Sequence, residues 1–511
     1  GVTVPNAHPH FDCSGKLALI HNGIVDNYEN LSQKIKGHQL LGQTDSEIIV
    51  HLIEKELKTE NDLMKAVKKV AKLAAGFNAF VVMHQDYPYL VAAKTGSPLV
   101  IGLGEKGNLL SSDVASLLSF TRRVIFLEDR QITKIAPNEV RIENYASAKE
   151  VKPVIQVIDW TAKSAAKTGF PHFMLKEIYD QPAVLTKIAE SKVKEARQLA
   201  GAIAKAKNVF AVACGTASYA ALAGQYLFAR IAGQQVIPAI GSEFYYYGGA
   251  IGGKSLCLAL SQSGETIDTL QSVSFAKDHG AKVISLVNVR GSSLDRLSDQ
   301  TIYLEAGPEK AVASTKAFSA KVALLLLTAS ALTRKTPRAV IEIKQAVRAI
   351  RKILSPGYQK YLKKLAEKFK HASSMFILGR GVSYPAALEA ALKIKEVSYI
   401  HAEGFAAGEL KHGVIALINQ QTPCLVFAPN DETYSDVISG AMEVKARGGM
   451  IIGISHKPNP LFDYYLPVAD SGNASILGNV VVAQCLAYYL ALARGLDPDM
   501  PRNLAKSVTV K

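Results

Sequence analysis

A short loop rich in hydroxyl groups follows an apolar run in the middle of the chain. The run ends at Leu260, and the next residues are Ser261, Gln262, Ser263, Gly264, Glu265 and Thr266. A strand that ends here and a helix that begins near Thr266 would leave free backbone N–H groups and the positive end of the helix dipole facing the loop. Together with the hydroxyls, these groups would bind phosphate. The alternative is an ordinary strand–helix turn, and Glu265 is expected to cap the helix that follows.

Two further turns of small residues could face the same ligand. The segment "CGTAS" (214–218) ends an earlier strand, and "AVASTKAFSAK" (311–321) places Ser314 and Thr315 before an apolar helix. Each turn alone is weak, but three of them at one sheet edge favour a polar, polyhydroxylated phosphate ester. The chain contains no GxxxxGK[ST] motif, which disfavours a nucleoside triphosphate.

Four ionisable side chains could move protons or attack a carbonyl group. Lys393 and Glu396 share one face of an otherwise apolar helix, which suits proton transfer, although a surface ion pair is the ordinary alternative. His412 lies in the turn "ELKHGV", where an imidazole could exchange protons near neutral pH. Lys506 could be a surface lysine, or it could form a Schiff base with a carbonyl substrate in a dry pocket.

The elements that must position these residues form a repeat. The segments "VFAVACGTASYAALAGQYLFARIAG" (209–233) and "MFILGRGVSYPAALEAALKIKEVSY" (375–399) each predict a strand, a turn and a helix. Short β-branched strands that alternate with helices predict an α/β fold with doubly wound parallel sheets, whose ligands bind at the carboxyl ends of the strands. We predict two such domains, at residues 191–340 and 341–500. The second has "APNDET" in place of the hydroxyl-rich loop.

The remaining segments have a different pattern. Residues 1–145 mix strands with helices near "YENLSQKIKG" and "TDSEIIVHLIEKELK", which predicts an α+β domain with stacked sheets. Residues 146–190 are interpreted as a linker that contains the only tryptophan and a helix packed on the first repeat. Residues 501–511 form a short tail that ends in the strand-like "SVTV".

Composition narrows the function classes. The 511 residues carry a net charge of +15, but the basic residues are scattered over amphipathic helices, so a nucleic-acid partner is not expected. Five cysteines without a CxxC pair or zinc spacing predict reduced thiols in a cytoplasmic protein with no metal and no cofactor. The apolar segment 476–495 is interrupted by Asn479 and Gln484, so we expect a buried helix rather than a membrane span.

As a set, several motifs resemble one enzyme family from end to end. They are "NAHPH", "HNGIVDNYENL", "QTDSE", "ACGTAS", "SQSGETIDT", "VASTKAF", "LGRG", "ALKIKEVSYIHAEGFAAGELKHG" and "PRNLAKSVTV". The chain is similar to the glutamine–fructose-6-phosphate aminotransferases (isomerizing), also called glucosamine-6-phosphate synthases. The resemblance implies a partial glutamine amidotransferase domain of the N-terminal-nucleophile type, followed by two sugar isomerase (SIS) domains. It also implies synthesis of glucosamine 6-phosphate from fructose 6-phosphate and glutamine-derived ammonia, at the start of amino-sugar nucleotide formation.

The resemblance implies substrate-binding and catalytic roles for individual residues of this chain. The sugar phosphate is expected on Cys214, Gly215, Thr216, Ser261, Gln262, Ser263, Thr266, Val312, Ala313, Ser314 and Ala505. The family often has Ser where this chain has Ala217, which removes one hydroxyl contact. His412, typically from the partner subunit of a homodimer, would open the sugar ring. Lys506 would form the Schiff base, Glu396 would move a proton between carbons 1 and 2, and Lys393 would steady the charge of the intermediate.

The chain departs from the family pattern at its N-terminal end. The family's glutaminase uses an N-terminal cysteine and a loop containing Arg and Trp ahead of "NAHPH", and neither precedes that motif here. Asn22 and Gly23, used at the oxyanion, and Asp45, which holds the glutamine amino group, are retained. Cys13 matches no nucleophile and is expected to be a structural thiol. We therefore expect an N-terminally truncated representative that does not hydrolyse glutamine and uses free ammonia.

Two other functions are compatible with parts of the sequence. A fructosamine-phosphate deglycase would share the isomerase domains, but it would have no counterpart of "HNGIVDNYENL" and "QTDSE". A sugar-phosphate-sensing regulator would bind without turnover. It would carry an N-terminal helix-turn-helix and would have no use for Lys393, Glu396, His412 and Lys506 together.

Overall fold

The computed structural model describes residues 3–158 and 166–506, and it divides them into an N-terminal two-sheet domain and two parallel-sheet domains. The strand-like "SVTV" of the sequence analysis lies outside the described residues, as does the tryptophan. The predicted α/β class, with two doubly wound parallel sheets after an α+β domain, is confirmed.

The N-terminal domain stacks two antiparallel sheets. Its strands are β1 (His10–Phe11), β2 (Leu17–Gly23), β3 (Asn78–His84), β4 (Leu90–Thr95), β5 (Val100–Gly104), β6 (Gly107–Ser111), β7 (Arg123–Phe126), β8 (Gln131–Ala136), β9 (Glu139–Asn144), β10 (Lys149–Val151) and β11 (Gln156–Val157). Its helices are α1 (Tyr28–Ser32), α2 (Asp45–Glu60), α3 (Leu63–Leu73) and α4 (Val114–Leu117). The sheet orders are β1-β2-β3-β4-β8-β9-β10 and β11-β7-β5-β6. One apolar layer, which includes Ala92 and Ile101, lies between the sheets, and α2 and α3 cover the outer face of the larger one.

The segment assigned to a linker is largely structured. Strands β10 and β11 lie within residues 146–190 and pair with β9 and β7, so both N-terminal sheets extend into it. The helices α5 (Phe173–Ser191) and α6 (Val193–Lys205) follow. Helix α5 packs on the long helix of the first parallel-sheet domain and also on helices of the second.

Both parallel-sheet domains have five strands in the same order. The first contains β12 (Asn208–Ala213), α7 (Thr216–Ala232), β13 (Ile237–Ile240), β14 (Ser255–Leu260), α8 (Ile267–Asp278), β15 (Lys282–Val287), α9 (Ser293–Leu297), β16 (Gln300–Tyr303) and α10 (Lys316–Leu332). The second contains α11 (Thr336–Ile353), α12 (Pro356–Phe369), β17 (Ser374–Gly379), α13 (Ser383–Ser398), β18 (His401–Ala406), β19 (Pro423–Ala428), α14 (Tyr434–Lys445), β20 (Met450–Ser455), β21 (Tyr464–Pro467) and α15 (Ser475–Ala493). The orders are β13-β12-β14-β15-β16 and β18-β17-β19-β20-β21, which confirms the repeat.

The strand order locates the expected ligand crevice. In each sheet the first strand lies between the second and the third, so the connections leave in opposite directions from this point. Ligands of such sheets bind at the carboxyl ends of the two strands that flank the switch. In the first domain these ends are Ala213 of β12 and Leu260 of β14, which directly precede two of the small-residue turns.

The two parallel-sheet domains share one hydrophobic core. A single cluster of buried side chains joins α7 and α10 of the first domain to α13 and α15 of the second, with α5 and α11 at its edge. Separate clusters fill the N-terminal domain. Helix α13, which carries Lys393 and Glu396, is therefore packed against both domains at once.

Helix α15 is the apolar segment that the sequence analysis assigned to the interior. Among the described residues, one helix, at Gly472–Ala493, is long and apolar enough to cross a membrane. Of its most apolar window, 83% is buried inside the fold. Asn479 and Gln484 are buried with it, and the Gln484 side chain accepts a hydrogen bond of 2.7 Å from Gln181 of α5.

Candidate functional site

A cavity of about 190 Å³ opens at the carboxyl edge of the first parallel sheet. Most of the residues predicted to bind the sugar phosphate line it, together with two predicted catalytic residues. They are Cys214, Thr216, Ser261, Gln262, Ser263, Thr266, Val312, Ser314, Glu396, Ala505 and Lys506. Ala217, Leu260, Lys321 and Leu504 complete the wall.

The hydroxyl-rich loop is tightly folded around its own backbone. Ser261 Oγ accepts a hydrogen bond of 2.9 Å from the Gly264 N–H, and Ser263 Oγ accepts one of 3.1 Å from the Glu265 N–H. Gly264 has a φ of +73°, and a Cβ there would lie 2.1 Å from Ser292 Oγ, so only glycine fits. Helix α8 begins directly after Thr266, and no side chain of the described residues caps it. The N–H groups of its first turn therefore remain available to an anion.

Glu265 does not cap the helix that follows it, contrary to the sequence-based expectation. Its Oε1 atom accepts a hydrogen bond of 2.8 Å from the Ser293 N–H, at the first residue of α9. Burial raises the pKa of Glu265 above its ordinary value. The Glu265 side chain thus bonds to α9 rather than to α8. Within the described part of the chain, the N-terminus of α8 is left without a side-chain cap.

The turn after β12 faces the loop from the other side of the switch point. Gly215 has a φ of +53° and precedes α7, which begins at Thr216. Thr216 Oγ1 donates a hydrogen bond of 3.4 Å to Glu389 of the second domain. Gly215 and Ala313 do not line the cavity among the described residues, and they shape its turns through the backbone.

Lys393 and Glu396 form a buried ion pair rather than a surface pair. Lys393 Nζ donates to Glu396 Oε2 and lies 3.7 Å from Glu389 Oε1. The Lys393 and Glu389 side chains have no solvent exposure, whereas Glu396 is 21% exposed and lines the cavity. Burial would lower the pKa of Lys393, but the carboxyl groups of Glu389 and Glu396 outweigh it and raise the pKa. Glu396 is thus the carboxylate of this cluster that can reach a ligand.

Lys506 reaches the same cavity from the C-terminal tail. Its Nζ atom donates hydrogen bonds of 3.1 Å to Glu309 Oε2 and 2.7 Å to the Ala311 carbonyl. Glu309 also accepts from Ser314 Oγ at 2.9 Å and from the Thr315 N–H at 2.9 Å. Although burial opposes ionisation, Lys506 and these hydrogen bonds lower the pKa of Glu309 to about 2. One buried carboxylate therefore organises the third turn and the tail lysine together.

Three residues of the site were missed by sequence reasoning, and Glu309, described above, is one of them. Glu389 lies one helical turn before Lys393, and its helical spacing from that lysine was the available signal. Lys321 lies on the apolar helix α10, lines the cavity and is fully buried. Burial lowers the pKa of Lys321 to about 8. A lysine in an apolar helix of this kind indicates a functional position.

His412 is not near the cavity in this chain. It ends a short 3-10 helix (Leu410–His412) and is exposed, and it is absent from the described residues that line the cavity. Within one chain, the structure therefore assembles Lys393, Glu396 and Lys506 but leaves His412 apart.

The predicted remnant of the glutamine site is assembled in the N-terminal domain. Asn22 and Gly23 end β2, and Asp45 begins α2 beside them, where its Oδ2 atom accepts a hydrogen bond of 2.7 Å from the Val25 N–H. Gly23 has a φ of +152°, and a Cβ at this position would lie 2.1 Å from the Phe77 carbonyl oxygen. The close approach of β3 therefore requires glycine here.

A second cavity lies beside the first and is lined in part by the N-terminal domain. It has a volume of about 280 Å³, and Asn22 lies in its wall. Ser263, Ala505 and Lys506 line both cavities. The space beside the predicted glutamine site thus adjoins the space beside Lys506.

Comparison with known proteins identifies the family. Residues 202–331 and 368–494 match the SIS domain family, and residues 4–119 match the glutamine amidotransferase domain. A glutamine–fructose-6-phosphate aminotransferase (isomerizing) from Thermus thermophilus is 42% identical over 530 aligned residues, which cover 100% of this chain and 87% of the relative. The chain belongs to the glutamine–fructose-6-phosphate aminotransferase family. The enzyme of that name from Thermococcus kodakarensis is 40% identical over 99% of this chain and 86% of its own length.

A solved structure agrees with this family assignment. The C-terminal domain of glucosamine-fructose-6-phosphate aminotransferase from Francisella tularensis covers 66% of this chain and 100% of its own, with 32% identity and a TM-score of 0.61. The amidotransferase match favours the aminotransferase family over the deglycase and regulator alternatives. The expectation of an N-terminal truncation is not confirmed, because the relatives match the whole of this chain.

Proposed function

We propose that this chain makes glucosamine 6-phosphate from fructose 6-phosphate, with glutamine-derived ammonia as the nitrogen source. The observation that carries the proposal is the cavity at the carboxyl edge of the first parallel sheet. An anion-binding loop, a buried carboxylate–lysine pair and a tail lysine converge there, and each comes from a different part of the chain. The family's relatives bear the name of this reaction.

The roles of the residues follow from their positions. The loop at 261–266 and the open N-terminus of α8 hold the phosphate. The Lys506 amine attacks the carbonyl carbon of the open-chain sugar, and water leaves as the Schiff base forms. Ammonia then displaces the lysine amine at the same carbon. Glu396 moves a proton between carbons 1 and 2, and the Lys393 ammonium stabilises the charge that develops.

The adjacent cavities support internal delivery of ammonia. Asn22, Gly23 and Asp45 would bind glutamine, and the cavity of about 280 Å³ beside Asn22 reaches Lys506. Ammonia released there would reach the Schiff base without crossing bulk water, where most of it would be protonated.

Two further expectations belong to this proposal. A homodimer would bring His412 of one copy toward the cavity of the other, where it would open the sugar ring. All five cysteines are unpaired, which supports a reducing, cytoplasmic setting.

The direct test supplies the purified chain with fructose 6-phosphate and either ammonium or glutamine. We expect glucosamine 6-phosphate from ammonium, measured by chromatography of the sugar phosphates. The glutamine arm separates two nitrogen sources. Product from glutamine would support glutamine-derived ammonia, and its absence would support the expectation, made from the sequence, that this chain does not hydrolyse glutamine. Absence of product with saturating ammonium would contradict the assignment of the isomerase half.

Substitution of the candidate base tests the mechanism at one residue. Glu396→Gln keeps the shape of the side chain but removes the proton acceptor, so turnover should fall by at least about a hundredfold. Binding of fructose 6-phosphate, measured by calorimetry, should remain because the phosphate loop is intact. Unchanged turnover would remove Glu396 from this role.

A further inference from the structure

Four potential metal ligands converge at the edge of the N-terminal domain, in a place that the proposed function does not use. They are Cys13 Sγ, His38 Nδ1, His51 Nδ1 and Glu54 Oε2, and all four atoms lie within 4.8 Å of one another. Cys13 lies in the turn between β1 and β2, His38 lies in the loop before α2, and the other two lie on α2 itself. No spacing pattern in the sequence indicates the group, because its members come from three separate segments.

Four of the six distances among the ligand atoms are close to the edges of a tetrahedral zinc site, and the other two are within 4.8 Å. Zinc lies about 2.3 Å from sulfur and about 2.0–2.1 Å from nitrogen, so a tetrahedron separates sulfur from nitrogen by about 3.6 Å. Cys13 Sγ is 3.6 Å from His38 Nδ1 and also 3.6 Å from His51 Nδ1. The two imidazole nitrogens lie 2.9 Å and 3.1 Å from Glu54 Oε2, close to the nitrogen–oxygen edge of about 3.3 Å.

The surroundings are suited to a cation. A thiolate and a carboxylate would neutralise a divalent ion, and the two imidazoles would bind it in the neutral form. The other ring nitrogen, His51 Nε2, is buried without a hydrogen-bond partner among the described residues, and the nearby Glu47 Oε1 lies 3.9 Å from it, too far for a hydrogen bond. His51 is 1% exposed, whereas Cys13 is exposed and leaves a path by which an ion can enter.

We propose that Cys13, His38, His51 and Glu54 form a structural Zn²⁺ site. With four protein ligands the site is closed, so the ion has no position for a substrate. The ion would fasten the β1–β2 turn and the loop before α2 to the helix that begins with Asp45. The inference goes beyond the proposed reaction, since the site lies in the N-terminal domain and away from the sugar-phosphate cavity. The competing explanation of the cluster is a hydrogen-bonded network without metal.

The test uses the full chain, stripped with a chelator and then reconstituted with zinc chloride or cobalt chloride. We expect one zinc per chain by elemental analysis, and with cobalt a thiolate-to-metal absorption band in the near ultraviolet. Cys13→Ala should abolish that band. Cys13→Ala and His38→Ala should each weaken zinc binding by about a hundredfold or more, since loss of even an outer partner costs roughly 10–100-fold.

Cys257→Ala is the matched control, because Cys257 is a buried thiol on β14 outside the cluster. It should retain the zinc and the cobalt band. Circular dichroism checks that the variants are folded, and His38 is a partly exposed loop residue whose removal should leave the fold intact. Ammonium-dependent turnover should not change on chelation, which separates this test from that of the proposed reaction.

Two outcomes would overturn the proposal. One is a reconstituted wild-type chain without stoichiometric zinc, as a hydrogen-bonded network alone predicts. The other is a cobalt band that survives in folded Cys13→Ala, or a zinc affinity that is unchanged in folded Cys13→Ala and His38→Ala.

Discussion

Glu389 lies behind Glu396 and Lys393 on α13 and has no contact with solvent. Burial raises the pKa of Glu389 to about 8, and the charge of Glu396 adds to this effect while Lys393 opposes it. Glu389 therefore holds its proton more tightly than an ordinary carboxyl group does. The Lys393 ammonium pairs with Glu396, which is the carboxyl group of the cluster that lines the cavity.

The pH dependence of stability should report Glu389 directly. Its pKa is higher in the folded state than the ordinary 4.5, so the folded state binds this proton more tightly than the unfolded state. Its stabilising contribution is complete below pH 4.5 and is lost as the pH rises through about 8. In the wild type, the free energy of unfolding should fall by on the order of a few kcal/mol between these pH limits. Glu389→Gln, which imitates the protonated form, should not show this fall.

Thermal unfolding of the wild type and of Glu389→Gln across this pH range measures the effect. The melting temperature of the variant should fall less steeply with rising pH. Parallel curves for the two proteins would show that folding does not raise the pKa of Glu389.

Lys321 is the residue whose role in substrate binding is most open to direct measurement. It is a buried cation in the wall that also carries Ser261 and Thr266. Lys321→Met keeps the length of the side chain and removes the charge, so KM for fructose 6-phosphate should rise about tenfold, which corresponds to about 1.4 kcal/mol. Competitive inhibition by inorganic phosphate should weaken in proportion. If both the KM and the inhibition by phosphate are unchanged, Lys321 does not contribute to substrate binding and serves only in the packing of the core.

At this scale, the sequence predicted residues with local signals and missed those that depend on tertiary contacts. The loop at 261–266 could be predicted because a strand, a glycine and hydroxyls are adjacent in the chain. Glu309 could not, because only the fold brings its carboxylate to Lys506. Glu265 was assigned to the wrong helix for the same reason. The metal-ligand cluster around Cys13 is built from segments that are far apart in the chain, so no spacing pattern could predict it.

Among the elements, α13 is the helix on which the site depends most. It carries Glu389, Lys393 and Glu396, and it packs directly on β18. Gly404 of β18 permits this contact, because a Cβ there would lie 2.6 Å from the backbone carbon and oxygen of Ala387. This contact sets the distance between α13 and the sheet. It therefore also sets the position of Glu396 on α13. The repeat and sheet class were predictable from strand and helix periodicity, whereas this close approach was not.

Gly404→Ala should displace α13 and damage both stability and turnover. Overpacking against backbone atoms is expected to cost about 1–3 kcal/mol of unfolding free energy. The control is Gly201→Ala on α6, where a Cβ would meet nothing within 4 Å. The control should gain up to about 1 kcal/mol because alanine favours the helix. Denaturant unfolding measures the stability of both variants, and ammonium-dependent turnover measures their activity. Equal unfolding free energies for Gly404→Ala and Gly201→Ala would contradict the expected clash between β18 and α13.

At the scale of the whole molecule, the position of His412 predicts that one active site needs two chains. His412→Ala and Lys506→Ala should each be inactive alone. If His412 acts on the partner's cavity, a mixed dimer of the two variants contains one intact site, so random mixing should restore about a quarter of wild-type turnover.

The matched control mixes Lys506→Ala with Glu396→Gln. Both residues line the cavity of their own chain, so each site of that mixed dimer lacks one of them and no activity should return. Turnover is measured as glucosamine 6-phosphate formed from ammonium after co-expression or joint refolding. Failure of the first mixture to regain activity, with mixed dimers present, would contradict the action of His412 on the partner's cavity.

The shared core of α7, α10, α13 and α15 has a consequence for how such a molecule can change over generations. Two copies of one unit with separate cores could be lost or exchanged independently. Here the domains share one interior, the first carries the hydroxyl-rich loop, and the second carries Lys393 and Glu396. Loss of either domain would expose apolar surface of the other, so we expect the two to be inherited together.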